Sequence, residues 1–216
     1  MTTNRLIQLL IVLAFISLMI ILYPNSNSYN TGKKLQLKYD SLANILSNSI
    51  TNDMAKTLQV IHPLSVYEAK HYAAIFNDLS NKHVVPWEIY AAIIWQESRF
   101  KANAHSNKNA KGLSQVMPKT FEMVCKNLNI RYKKNQTEWN DIINIVVGMT
   151  YLSEGISEID MEHGIKRYYA GPSWKNKKKV TKSINKYYNE VMRRYNLIRY
   201  VYIGVKEDNK ENLEVD

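Results

Sequence analysis

The sequence predicts an all-α, or mostly α, chain on three observations. Apolar residues recur at three- and four-residue spacing from residue 42 to residue 194. Helix-opening signals punctuate that pattern: a serine with a glutamate three places on, and prolines just ahead of apolar runs. Residues 200–203 offer a short strand at most, and no repeat is present.

The elements follow in order. Leu6–Tyr23 is almost wholly apolar, at the lower end of what can span a bilayer, and Arg5 precedes it. No small-x-small cleavage site and no lipidation cysteine follow, so residues 1–23 read as an uncleaved signal anchor. Residues 24–64 read as a linker and an amphipathic helix: Pro24–Gly32 is polar, then Leu42, Ile45, Leu46, Ile50, Met54, Leu58 and Ile61 keep helical spacing. This helix either stands between membrane and domain or packs on the domain.

The domain itself is expected over 65–199. Ser65 and Glu68 form a capping box for a helix with Val66, Ala69, Tyr72, Ala73 and Phe76 on its apolar side. Pro86 opens a helix over 87–98. Residues 101–117 have no period and read as loop. Helices are expected over 118–128, 140–156 and 162–170, the last broken by Gly171-Pro172. A basic helix follows over 179–194, with Val180, Ile184, Tyr187, Tyr188 and Val191 on its apolar side. Residues 200–216 are a tail, its first four residues a short strand or a frayed end.

Composition narrows the function classes. The apolar share of 45% suits a globular domain. One cysteine, Cys125, excludes an internal disulfide or a multi-cysteine zinc site, and its neighbours Phe121, Val124 and Leu128 predict a buried position. Five histidines show no paired ligand spacing, so no metal and no cofactor are expected. The net charge of +10 gathers at Lys175, Lys177, Lys178, Lys179, Lys182, Lys186, Arg193, Arg194 and Arg199. Such a face suits an anionic wall polymer or lipid headgroups, or is simply solvated. No nucleic-acid motif accompanies it, so nucleic acid is not an expected partner.

Glu97 is the candidate that carries chemistry. Tyr90, Ile93 and Ile94 line one helix face, and Glu97 continues that apolar stripe. A carboxyl in such a place is desolvated, its pKa rises, and it can serve as a general acid. The plain alternative is a helix-end glutamate turned to water. Two-carboxylate glycosidases need a second Asp or Glu, yet 98–121 holds none. Glu122, Glu138 and Asp141 remain as candidates that folding would have to bring near.

Four ordered blocks sharpen the reading. They are Glu97-Ser98-Arg99-Phe100 with Ala104-His105-Ser106, Gly112-Leu113-Ser114-Gln115-Val116-Met117-Pro118-Lys119-Thr120, Asn144-Ile145-Val146-Val147-Gly148-Met149-Thr150-Tyr151-Leu152, and Tyr168-Tyr169-Ala170-Gly171-Pro172. Together they resemble the lytic transglycosylases of the soluble-transglycosylase (SLT) type, which are lysozyme-like, over roughly residues 65–195.

The resemblance implies a lysozyme-like fold and cleavage of the β-1,4 bond between N-acetylmuramic acid and N-acetylglucosamine. Glu97 would act as acid and then base, leaving a 1,6-anhydromuramoyl end. It implies substrate contacts for Ser106, Gln115, Met117 and Tyr168, with Tyr168 bonded to the catalytic carboxyl and Ser98 structural. Two departures stand out: Tyr169 where the family has Asn, and Ser114 in its variable slot. Asn144 is expected to pack or cap, and His105 to be a solvated loop residue. The implied partners are peptidoglycan glycan strands, the membrane through the N-terminal helix, and a secretion or division complex of the envelope. The implied location is the bacterial inner membrane, with the domain facing periplasm or wall. A goose-type lysozyme-like muramidase and a silent wall-binding module are the alternatives.

Overall fold

A computed structural model describes residues 26–134, 136–176 and 181–214. The expected anchor, Leu6–Tyr23, lies outside the described residues, as do Lys177, Lys178, Lys179 and Val180. Seven α-helices run in order among the described residues: α1 Ser26–Ile61, α2 Val66–His83, α3 Trp87–Ser98, α4 Pro118–Asn127, α5 Asp141–Glu158, α6 Met161–Ala170 and α7 Thr181–Glu214. Single 3₁₀ turns stand at Thr137–Trp139 and Trp174–Asn176. No strand occurs among the described residues, which agrees with the all-α expectation. No helix among them is long and apolar enough to cross a membrane.

The chain divides into two compact units at Ile50 and Thr51. The first holds the leading part of α1. That helix starts at Ser26, so the expected polar linker is helical where it is described. Leu42 and Ile45 are exposed there. The last turns of α1 belong to the second unit, and Met54, Ala55 and Leu58 are buried in it. The second unit therefore begins before residue 65.

Within the second unit α3 is the central helix. Trp87, Ile89, Tyr90, Ala91, Ala92, Ile93 and Ile94 are all buried, so burial extends well beyond the one apolar face of Tyr90, Ile93 and Ile94. It packs on α2 and along α7, while α5 packs on α2, α4 and α6, and α6 also packs on α7. The capping box at α2 forms as read: the Glu68 N–H donates to Ser65 Oγ at 3.2 Å, and the Ser65 N–H donates to the Glu68 carboxylate at 2.9 Å. Ala69, Tyr72, Ala73 and Phe76 are buried, but Val66 is exposed in the first turn. Cys125 is buried beside Phe121 and Val124.

The tail expectation fails. Residues 200–203 are neither strand nor frayed end but the middle of α7, which continues to Glu214. Helical spacing persists past Arg194, with Ile198 buried. The Tyr202 ring meets Trp87 edge-on at 5.2 Å between centroids. Further on, the Asn209 amide donates to the Asp53 carboxylate at 2.5 Å and accepts from Lys56 Nζ at 2.6 Å. Packing against α3 and the end of α1 overrides the strand preference of Tyr-Val-Tyr-Ile.

Candidate active site

Glu97 lies in the last turn of α3, and the chain leaves that turn abruptly. Ser98 is buried and donates its hydroxyl to the Ile94 carbonyl at 3.1 Å, a structural role as expected. Arg99 and Phe100 then both take left-handed backbone, with φ of 52° and 57°. Such geometry is unfavourable for residues with a Cβ and persists only where packing fixes it. Here the buried Phe100 ring stacks on Tyr72 at 6.3 Å. The exit frees residues 101–117 to cross in front of the carboxyl.

One buried side chain fastens that loop. Asn144, on α5, gives its amide hydrogens to the Lys111 and Glu138 carbonyls at 2.9 and 2.8 Å. Its Oδ1 accepts the Ser114 N–H at 2.8 Å, and the Ser114 hydroxyl lies 2.7 Å from the same oxygen and from the Asn144 carbonyl. Asn144 thus clamps the loop, as a packing residue rather than a chemical one. Close approach requires glycine on both sides. A Cβ on Gly112, where φ is 74°, would fall 2.3 Å from the Asn144 amide, and one on Gly148 would fall 2.3 Å from Ser114 Cβ.

Loop, α3, α5 and α6 enclose a cleft of about 450 Å³. All five residues singled out from the sequence line it: Glu97, Ser106, Gln115, Met117 and Tyr168. Lys108, Tyr151, Tyr169, Gly171 and Pro172 complete much of the wall. Each sequence-derived residue arrives with its own constraint. Ser106 Oγ accepts the Ala110 N–H at 3.0 Å and the Lys108 N–H at 3.3 Å, so it builds the loop turn and keeps only its proton to offer a ligand. Gln115, with φ of 50°, donates its amide to the Ala104 and Gly112 carbonyls at 3.0 and 2.8 Å. Its remaining function toward the cleft is a carbonyl acceptor. Met117 precedes α4 and is 44% exposed, so it is wall rather than core.

The tyrosine on the carboxyl is not the one expected. Tyr168 donates its hydroxyl to the Ser114 carbonyl at 2.5 Å, because Gly148 lets the loop pass within its reach. The hydroxyl that donates to Glu97 Oε1 belongs to Tyr187, on α7. The sequence held a usable signal: Tyr187 sits on the buried stripe of the basic helix, and a buried phenol needs a polar partner.

Electrostatics fit an acid. Burial pushes the Glu97 pKa up to about 7, and the Tyr187 hydrogen bond opposes that rise. The Tyr168 and Tyr187 phenols are held well above their ordinary range, first by burial and then by the Glu97 charge. Both therefore remain proton donors. Among the described residues no second carboxylate lines the cleft. Glu138 is buried elsewhere and accepts the Tyr132 hydroxyl at 2.7 Å. Asp141 opens α5, where burial raises its pKa and His71 lowers it. His105 is an exposed loop residue, edge-on to Trp139 at 6.2 Å. No group of three potential metal ligands occurs among the described residues.

Residues 74–191 match the family model of the transglycosylase SLT domain, more than half of the chain. A Haemophilus influenzae protein assigned as a soluble lytic murein transglycosylase is 30% identical over 91 residues, which are 42% of this chain and 15% of that one. The 70 kDa soluble lytic transglycosylase of Escherichia coli shares the fold, with a TM-score of 0.50 and 20% identity over 72% of this chain and 29% of its own. Lytic transglycosylase Slt of Pseudomonas aeruginosa aligns with a TM-score of 0.46 and 22% identity, over 63% of this chain and 24% of its own. The chain spans less than a third of the length of each of these relatives.

Proposed function

Because the chain belongs to the transglycosylase SLT domain family, we propose that it is a peptidoglycan lytic transglycosylase. It cleaves the β-1,4 bond between N-acetylmuramic acid and N-acetylglucosamine and leaves a 1,6-anhydromuramoyl end. The observation that carries the proposal is Glu97, the one carboxyl that lines the cleft among the described residues, where burial pushes its pKa up to about 7.

The steps follow from that carboxyl. Protonated Glu97 gives its proton to the glycosidic oxygen as the bond to the muramic anomeric carbon breaks. The muramic N-acetyl carbonyl shields the cationic carbon, the role a second carboxylate has in two-acid glycosidases. Ionised Glu97 then takes the proton of the muramic 6-hydroxyl, whose oxygen closes on the anomeric carbon. One bond to that carbon breaks and one forms, the proton on Glu97 is restored, and no water is consumed. A pKa near working pH serves both directions of transfer. The Tyr187 hydrogen bond favours the ionised state reached between the two steps. Gln115 offers an acceptor, Ser106 a hydroxyl proton, and Met117 an apolar wall to the saccharide. Tyr168 acts on substrate through the Ser114 loop turn that it holds.

The substrate lies outside the cytoplasm, so the proposal includes residues 1–23 as an anchor, with the domain facing periplasm or wall. Mass spectrometry of products from purified peptidoglycan tests the activity. Anhydromuramoyl ends are expected. Reducing ends would place the chain with goose-type muramidases, and intact strands would make it a wall-binding module. A soluble mature form beginning after Tyr23 would show a cleaved signal instead of an anchor.

A further inference from the structure

We infer that Tyr169 is a saccharide-stacking residue, an aromatic platform in the cleft for the apolar face of an N-acetylhexosamine ring in a β-1,4-linked glycan. The inference rests on the glycan-cleaving function proposed above and adds a subsite that the family pattern, with Asn at this place, does not supply.

Among the described residues three tyrosines line the cleft, and they are not equivalent. Tyr151 is buried, with the Arg167 guanidinium 4.4 Å from its ring centre. Tyr168 has its hydroxyl committed to the Ser114 carbonyl. Tyr169 alone of the three is exposed, at 47%, although its ring is not loose. It stacks on Tyr187 with 4.5 Å between centroids and 20° between planes. One face of Tyr169 is thus backed by a buried ring, and the rest of the side chain looks onto the cleft. Ala170, Gly171 and Pro172 continue the wall beyond it, and the Cβ direction of Gly171 is open.

A ring held on one side and bare on the other is pre-organised to receive a flat apolar partner at little entropic cost. Hexopyranoses in β-1,4 chains carry equatorial substituents, so each ring presents C–H bonds on its faces and fits such a surface. Tyr187, the backing ring, is also the donor to Glu97. The platform therefore stands one ring away from the acid, and a sugar stacked there is registered against the bond to be broken.

The test measures binding of a β-1,4-linked N-acetylglucosamine oligomer to the full chain carrying Glu97→Gln, by titration calorimetry. Tyr169→Phe in that background should bind as tightly as the parent, because stacking needs the ring and not the hydroxyl. Tyr169→Ala and Tyr169→Asn should each bind about tenfold more weakly. Equal affinity of parent and Ala variant would overturn the platform while leaving the proposed function standing. Weakened binding by the Phe variant would replace stacking with a hydroxyl contact and overturn it too. A parent that binds no oligomer would count against the glycan function and remove the platform with it. With Glu97 intact, Tyr169→Ala should keep the pH midpoint of cleavage. A shifted midpoint with unchanged affinity would make Tyr169 a buttress for Tyr187 instead.

Discussion

The two walls of the cleft treat their polar groups in opposite ways. On the loop wall Asn144 uses both amide hydrogens and its oxygen, and all its partners are backbone groups or Ser114. On the acid wall Glu97 is desolvated, and Tyr187 is its one hydrogen-bond donor among the described residues. A saturated buried network rigidifies, whereas an under-solvated carboxyl is raised in energy. The first wall holds geometry, and the second stores reactivity. Substitutions on the loop wall should therefore cost stability first, and substitutions on the acid wall should cost activity first.

The largest effect is expected at the acid. Glu97→Gln keeps size and hydrogen-bonding capacity but has no acidic proton, so product formation from peptidoglycan should fall by about 10³-fold or more. Turnover at the wild-type rate would remove Glu97 from the mechanism. Asn144→Ala comes next. It leaves the Ser114 N–H and two buried carbonyls without their partner, a loss of about 3 kcal/mol. Thermal unfolding should drop by about 6–12 °C. An unchanged midpoint would mean that the clamp is redundant.

Glu97→Gln should also stabilise the fold. The folded-state pKa is about 7, against an ordinary 4.5. Between those values the native state holds more protons than the unfolded chain, so wild-type stability falls as pH rises through that window. The Gln variant escapes this loss. Its advantage should be absent below about pH 4.5 and reach about 3 kcal/mol above pH 7. Denaturant melts across pH read this directly, and a pH-independent difference would contradict the desolvation.

Tyr187→Phe has a smaller expected effect. It removes the hydrogen bond that lowers the Glu97 pKa. The alkaline limb of the pH–rate profile should move upward, and the optimum rate should fall by about tenfold. Smallest is the basic patch. Changing Lys177, Lys178, Lys179 and Lys182 to Gln should weaken binding to wall sacculi a few-fold at low salt, with the difference fading as salt rises. Cleavage of a short uncharged glycan should be unaffected. Equal sacculus binding at low salt would reduce the patch to a solvated face.

Local signals made much of this legible. Capping at Ser65, the proline starts and the stripe ending in Glu97 depend on neighbours within one turn, and each lies where the spacing put it. Ser106, Gln115 and Met117 were found through ordered blocks, and they do line one cleft. Two things escaped because they depend on distant packing. Residues 200–203 look strand-like alone and become helical through Trp87 and Asp53, far upstream. Tyr187 was visible only as an apolar-stripe residue, since nothing in α7 names a carboxyl on α3 as its partner. The exchange of roles between Tyr168 and Tyr187 has the same origin. Both phenols needed acceptors, and the loop that Gly148 lets in supplies the one for Tyr168, which leaves the carboxyl to Tyr187.

The central claim is that one desolvated carboxyl keeps its proton close to neutral pH and so can give it and take it back. Carbon-13 NMR of the Glu97 side-chain carboxyl, assigned by its absence in Glu97→Gln, follows that proton directly. A midpoint close to 7 is predicted for the wild-type chain, moving higher in Tyr187→Phe. A midpoint close to the ordinary 4.5, unchanged by Tyr187→Phe, would contradict it.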